Sequence, residues 1–155
     1  MLNIESVNLM QLTIDLAKKN LAKNRIPVAA IIVDGQTNEI LAKATNDNSP
    51  IGHAELKAIK KALKKLHKNR LDGCEMYVNL EPCPMCAGAI VNSRIEFLYF
   101  GCYDEDFGAC GSKFEICGNV NLSTPSVVRG NLLSGESLAL IKEYFFKERQ
   151  KKKDF

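Results

Sequence analysis

Residues 80–90, LEPCPMCAGAI, constrain this chain more than any other stretch. Two cysteines, Cys83 and Cys86, stand three apart with a proline on either side of the first. Pro84 suits the first position of a helix, where a missing N–H costs nothing. Cys83 then falls at the cap, and Cys86, three residues on, faces the same way. At a helix N-terminus the unpaired N–H groups and the macrodipole favour thiolates, the form that binds zinc. A tetrahedral ion needs more than two ligands, so the fold must bring further donors to this helix tip.

A second stretch offers one. GHAELKAIKKALKKL, from Gly52, reads as an amphipathic helix whose first turn carries His53 and Glu55. Two ligands on one helix face should sit three or four apart, so a spacing of two gives the pair different tasks. His53 opens its helix after a loop, as Cys83 does, and two helix starts that follow strands of one sheet can meet at its edge. Three protein ligands plus a water make a catalytic zinc site, and four protein ligands a structural one. With His53, Cys83 and Cys86 on the metal, Glu55 is left to move protons to and from a water whose pKa zinc lowers to roughly 7. Two other readings stay open here. Cys74, Cys102, Cys110 and Cys117 could complete a four-ligand clip, although none forms a second C-x-x-C; or Cys83 and Cys86 could be a redox pair. Otherwise those four cysteines read as small buried hydrophobes and His67 as a solvated side chain.

The chain has 155 residues and a formal charge of +3, which suits one domain spanning 1–155. No window is apolar enough to span a bilayer, and the N-terminus lacks a signal-peptide pattern. A cytoplasmic, reducing location is therefore expected, with no membrane partner and the cysteines as thiols. Lys57, Lys60, Lys61, Lys64, Lys65, Lys68 and Arg70 crowd one helix and its end, and a basic tail begins near residue 150. Such clusters draw phosphates or are simply solvated faces.

Val7, Met10, Ile14, Ala17 and Leu21 recur at helical spacing. IPVAAIIVDG and EILAKAT are expected to pair as a hairpin, NDNSPIG is a loop, and a helix runs from about Ala54 to Lys68, burying Ala58, Ile59, Ala62, Leu63 and Leu66. CEMYVNL and RIEFLYFG are strands around a short helix, PMCAGAIVNS. Residues 102–119 are irregular, SVVRGNL is a last strand, and a closing helix begins with Ser134 as its cap. The pattern predicts an α/β domain, a mixed sheet of about five strands with helices on both faces.

Read together, H-x-E…P-C-x-x-C is the zinc deaminase signature. HAE, LEPCPMCAGAI, SRIEFLYFG, GACGS and the FFKER near the end resemble the bacterial tRNA-specific adenosine deaminases, a branch of the cytidine/deoxycytidylate deaminase superfamily. The resemblance implies a three-layer α/β/α cytidine-deaminase-like fold, a homodimer and one Zn2+ per subunit. It implies a tRNA anticodon stem-loop as substrate, its wobble adenosine becoming inosine by attack of a zinc-activated water at C6 with Glu55 as proton shuttle. Asn46 would hydrogen-bond the purine, although a polar turn alone also explains it. The N–H of Ala54 and the carbonyl of Pro82 would face the reacting group, and Val28 and Leu80 would line the base pocket. Asp104 would contact a ribose. Phe145 and Phe146 would stack on flanking bases, with at least one of them expected in the core. The family carries basic residues near Tyr103 and Asp106, where this chain has an acidic run, Asp104–Asp106, unfavourable beside phosphates. Two rivals remain: a deaminase of a free base or nucleoside such as guanine or cytosine, and a non-catalytic zinc-stabilised interaction module.

Overall fold

The computed structural model describes residues 3–153. Nine elements follow one another: α1 (Ile4–Ala22), β1 (Ala29–Asp34), β2 (Ile40–Thr45), α2 (Ala54–Leu66), β3 (Cys74–Leu80), α3 (Pro84–Asn92), β4 (Phe97–Cys102), β5 (Val127–Arg129) and α4 (Ser134–Lys153). The strands form one sheet in the order β2-β1-β3-β4-β5. β1 runs antiparallel to both β2 and β3, whereas β3, β4 and β5 are parallel. This is the expected mixed five-stranded sheet.

The continuous apolar run of β1 is explained by burial on both faces. Ala29, Ile31 and Val33 pack with Tyr77 under Met10, Ile14 and Ala17 of α1 and Leu140 of α4. Ala30 and Ile32 alternate with them and pack with Met76 and Val78 under Ala58 and Ala62 of α2 and Ile90 of α3. The helices therefore lie two to a face. The β1–β2 hairpin turns at Asp34, whose Oδ1 accepts the N–H groups of Gln36 (2.8 Å) and Thr37 (3.0 Å). α4 approaches β4 closely at Gly101, where a Cβ would lie 2.4 Å from Ser137 Oγ and 2.5 Å from the Asn79 carbonyl.

Four boundaries differ from the sequence reading. α2 stops at Leu66 because His67 turns left-handed (φ 53°) and closes it, its N–H reaching the carbonyls of Leu63 and Lys64. Leu63 and Leu66 are only partly buried beside the core. The last strand shrinks to Val127–Arg129, and Asn131 beyond it has φ 66°. Ser134 is the first residue of α4 rather than its cap, and the Leu133 carbonyl accepts the Ser137 N–H at 3.4 Å. The tail expected from about residue 150 continues α4 to Lys153, and residues 154–155 lie outside the described ones.

The lysine-rich face of α2 has a structural task. Lys57, Lys61 and Lys65, four apart, each donate their ammonium to a carbonyl of β2: Thr45 (2.9 Å), Lys43 (2.9 Å) and Ile40 (3.4 Å). β2 pairs on one side with β1 and stands at the end of the sheet, so this row covers the acceptors of its open side.

Candidate active site

β3 and β4 are parallel, so their C-terminal ends, Leu80 and Cys102, open on the same edge of the sheet. Such an edge is where open α/β sheets bind ligands. The chain leaves β3 through Glu81 and Pro82 and enters α3 with Cys83 as its N-cap. It enters α2 with His53 as N-cap. The His53 side chain makes no capping bond to its own helix. The two cap side chains turn to each other: His53 Nδ1 lies 3.6 Å from Cys83 Sγ and 3.4 Å from Cys86 Sγ.

Ligands at 2.0–2.3 Å from one ion at tetrahedral angles stand about 3.6 Å apart, so the three donors have the spacing of a zinc corner. Their chemistry agrees. The Cys83 thiol is pushed down to about 5, chiefly by the hydrogen bond from the Cys86 thiol, with the Cys86 N–H and His53 adding to it against burial. Cys86 is pushed up by that same bond and by burial. Among the described residues no fourth His, Cys, Asp or Glu joins this group, and the other four cysteines are buried elsewhere. Among the described residues the four-ligand clip is thus not assembled, and His53 and Cys83 line the cavity.

Glu55 stands beside the trio, 4% exposed. Burial raises its carboxyl to about 7, and the Cys83 thiolate adds to the rise, while its own backbone N–H and His53 oppose it. A carboxyl poised near neutrality can both accept and return a proton.

The cavity at this edge has a volume of about 1110 Å³. Val28, Asn46, His53, Glu55, Leu80, Cys83, Asp104 and Phe145 all line it. Asn46 is both a turn residue and a wall residue: its Oδ1 accepts the Asn48 N–H (2.7 Å), its Nδ2 meets no acceptor among the described residues, and buried Asn20 donates to its carbonyl (2.8 Å). Ala54 is fully buried as the first residue of α2, its N–H among the first-turn donors that no helical carbonyl reaches. Pro82 is buried and does not line the cavity; its carbonyl accepts the Ala109 N–H at 2.8 Å. Asp104 uses Oδ1 on the N–H groups of Asp106 and Phe107, both at 3.1 Å. Phe145 and Phe146 are 46% and 55% exposed, so neither fills the core; Tyr144 takes the buried position, and Phe146 lies outside the cavity. Residues 103–107 form one wall, and Lys142 is the one lysine or arginine among the lining residues.

One residue of this site lies inside the LEPCPMCAGAI stretch without a role that its sequence spacing gives. Glu81 is 2% exposed, lines the cavity, and accepts hydrogen bonds from the loop that follows β4. In sequence it is a lone carboxylate ahead of Pro-Cys, with donors more than 20 residues away.

Comparisons with known proteins point to one family. The family model of the MafB19-like deaminases matches residues 4–150. The tRNA-specific adenosine deaminase of Haemophilus influenzae is 36% identical over 149 residues, covering 94% of this chain and 86% of its own. A chain solved in structural studies of A-to-I editing by tRNA:A34 deaminases at the wobble position superposes with a TM-score of 0.79 at 31% identity, covering 86% of this chain and 98% of that one. A guanine deaminase from Nitrosomonas europaea superposes with a TM-score of 0.77 at 25% identity, covering 93% and 85%. Matched over nearly its whole length by the family model and by a relative more than 30% identical, the chain belongs to the deaminase family that includes the tRNA-specific adenosine deaminases.

Proposed function

We propose that this protein hydrolytically deaminates adenosine to inosine at the wobble position of a tRNA anticodon, with one zinc ion held by His53, Cys83 and Cys86. The observation that carries this is the buried carboxyl of Glu55, near neutral in its proton affinity, beside a three-donor corner that opens into the cavity. Zinc in that corner supplies a water acidic enough to lose a proton near pH 7. Glu55 would take one proton from that water and deliver it to the ring nitrogen beside C6 as the water's oxygen bonds to C6, and would then pass the oxygen's second proton to the amine, whose bond to C6 breaks as ammonia leaves. Asn46 Nδ2 donates to an acceptor on the purine edge, and Val28 and Leu80 flank the ring with apolar surface. The Ala54 N–H faces the reacting group. A loop nucleotide is already partly unstacked, so its extrusion costs little. Phe145, exposed at the rim, is placed to stack a flanking base.

Glu55→Gln is expected to retain zinc and the folded state while turnover of an anticodon stem-loop falls by roughly two to four orders of magnitude. Full activity in that variant would overturn the assignment. A second reading, deamination of a free purine base such as guanine, draws on the acidic wall and on the guanine deaminase with the same fold. Ammonia release from guanine, with none from the stem-loop, would replace the first reading by this one.

We further infer that the protein works as a homodimer in the cytoplasm. α3 supports the first point. It carries no charged residue, Met85 is 39% exposed, and a Cβ on Gly88 would meet open space, so its outer face is smooth and apolar. Sedimentation at micromolar concentration is expected to give twice the chain mass of 17.2 kDa. No described helix is long and apolar enough to cross a membrane.

A further inference from the structure

The loop between β4 and β5 has one regular contact within it, an isolated bridge between Cys110 and Glu115. Its first part, residues 103–107, is nonetheless a wall of the cavity. An irregular segment holds a shape when its polar groups are taken up. Within the loop Asp104 accepts the N–H groups of Asp106, Phe107 and Gly108, and from outside it one side chain takes four of its donors. Glu81 Oε1 accepts the Asp104 N–H at 3.0 Å and also the Ser112 hydroxyl. Oε2 accepts the N–H groups of Cys110 and Ser112, both at 3.0 Å. The wall segment is therefore bracketed: a donor from its beginning and three from just beyond its end converge on one carboxylate. Gly108 makes the convergence possible, because a Cβ there would lie 2.4 Å from the Glu81 carboxyl carbon.

Burying a carboxylate is costly unless charge-assisted bonds replace its water, and four donors do so here. Glu81 is also joined by one residue to Cys83. Its own N–H donates to the Cys102 carbonyl (2.9 Å), and Ala109 N–H donates to the Pro82 carbonyl (2.8 Å). The same two residues that deliver a metal ligand thus hold both ends of the substrate-facing wall.

We propose that Glu81 is a positioning residue for substrate specificity: its carboxylate fixes where the 103–107 wall stands relative to the metal corner. Although Glu81 lines the cavity, it is not one of the metal donors, and with its carboxylate taken up by loop donors it acts through Tyr103, Asp104 and Phe107. The proposal rests on the deaminase reading above. Because the wall lies beside the part of the substrate flanking the reacting ring, its displacement weakens binding more than chemistry.

The test is Glu81→Gln, which keeps size and shape but presents an amide N–H2 to backbone donors. Steady-state kinetics on an anticodon stem-loop are expected to show KM raised about tenfold, kcat changed less than about threefold and zinc content unchanged. Ser112 is exposed, and Ser112→Ala removes one donor without touching the core. It is expected to raise KM in the same direction by a smaller factor, and it decides the matter if Glu81→Gln does not fold. KM unchanged in the folded variants, or kcat lost with KM unchanged, would overturn the proposal. Wild-type protein inactive on the stem-loop but active on a free purine would instead overturn the substrate reading, and the same KM comparison on that purine then tests Glu81.

Discussion

At the scale of single residues, the site stores a cost that the metal-free protein should reveal. Glu55 keeps its proton up to about 7 in the folded chain, but loses it near 4.5 when unfolded. As pH rises through that window only the unfolded chain releases the proton, so stability drains away and stays lower above it. In zinc-stripped protein, Glu55→Gln is therefore expected to be more stable than the wild type at pH 8, by about 3 kcal/mol, and equally stable below pH 4. Denaturant unfolding at the two pH values checks this. The residues that reveal themselves in sequence are those whose neighbours fix their role. His53 and Cys83 each head a helix, and Pro84 marks where one begins, so their meeting follows from local rules. Glu81 could not be given its role that way, although it lies in LEPCPMCAGAI and two of its partners lie in GACGS: the partners are 23 to 31 positions on, and three of the four donors are backbone N–H groups.

At the scale of elements, the acidic wall sets the affinity for a polyanion. Asp104 spends one oxygen on its own turn, but Asp106 is exposed and lines the cavity. Asp106→Lys is expected to lower KM for the stem-loop several-fold at low ionic strength, the gain fading toward 0.5 M salt. Measuring KM across salt concentrations separates this from a steric effect, which salt would leave in place. Elements with one clean periodicity are legible in sequence: β1, buried on both faces, and α1 with its stripe from Met10 to Ala17. α4 is less so, because Tyr144, Phe145 and Phe146 are adjacent aromatics and only packing against the sheet decides that Tyr144 turns inward. The short β5 is set by the left-handed Asn131, which no apolar count foretells.

At the scale of the molecule, His53, Cys83 and Cys86 bring together the starts of α2 and α3, two elements from separate crossovers on one face of the sheet, and a metal held there would tie them. An ion bound only by the folded state stabilises it by mass action, about 4 kcal/mol at a thousand times its dissociation constant. Chelation is therefore expected to lower the melting temperature by roughly 10 °C, and added zinc to restore it. Cys83→Ser should melt at a temperature largely indifferent to chelator. The layered architecture is visible in the alternation of strands and helices; the way a loop of 24 residues closes over the site is not.

The three ammonium groups laid along β2 have a consequence for protein handling. Acetylation would strip their charge and leave the Thr45, Lys43 and Ile40 carbonyls facing solvent with weaker cover. That flank then becomes a template on which a foreign strand can pair, and the chain gains a route to fibrous association through a surface far from its chemistry.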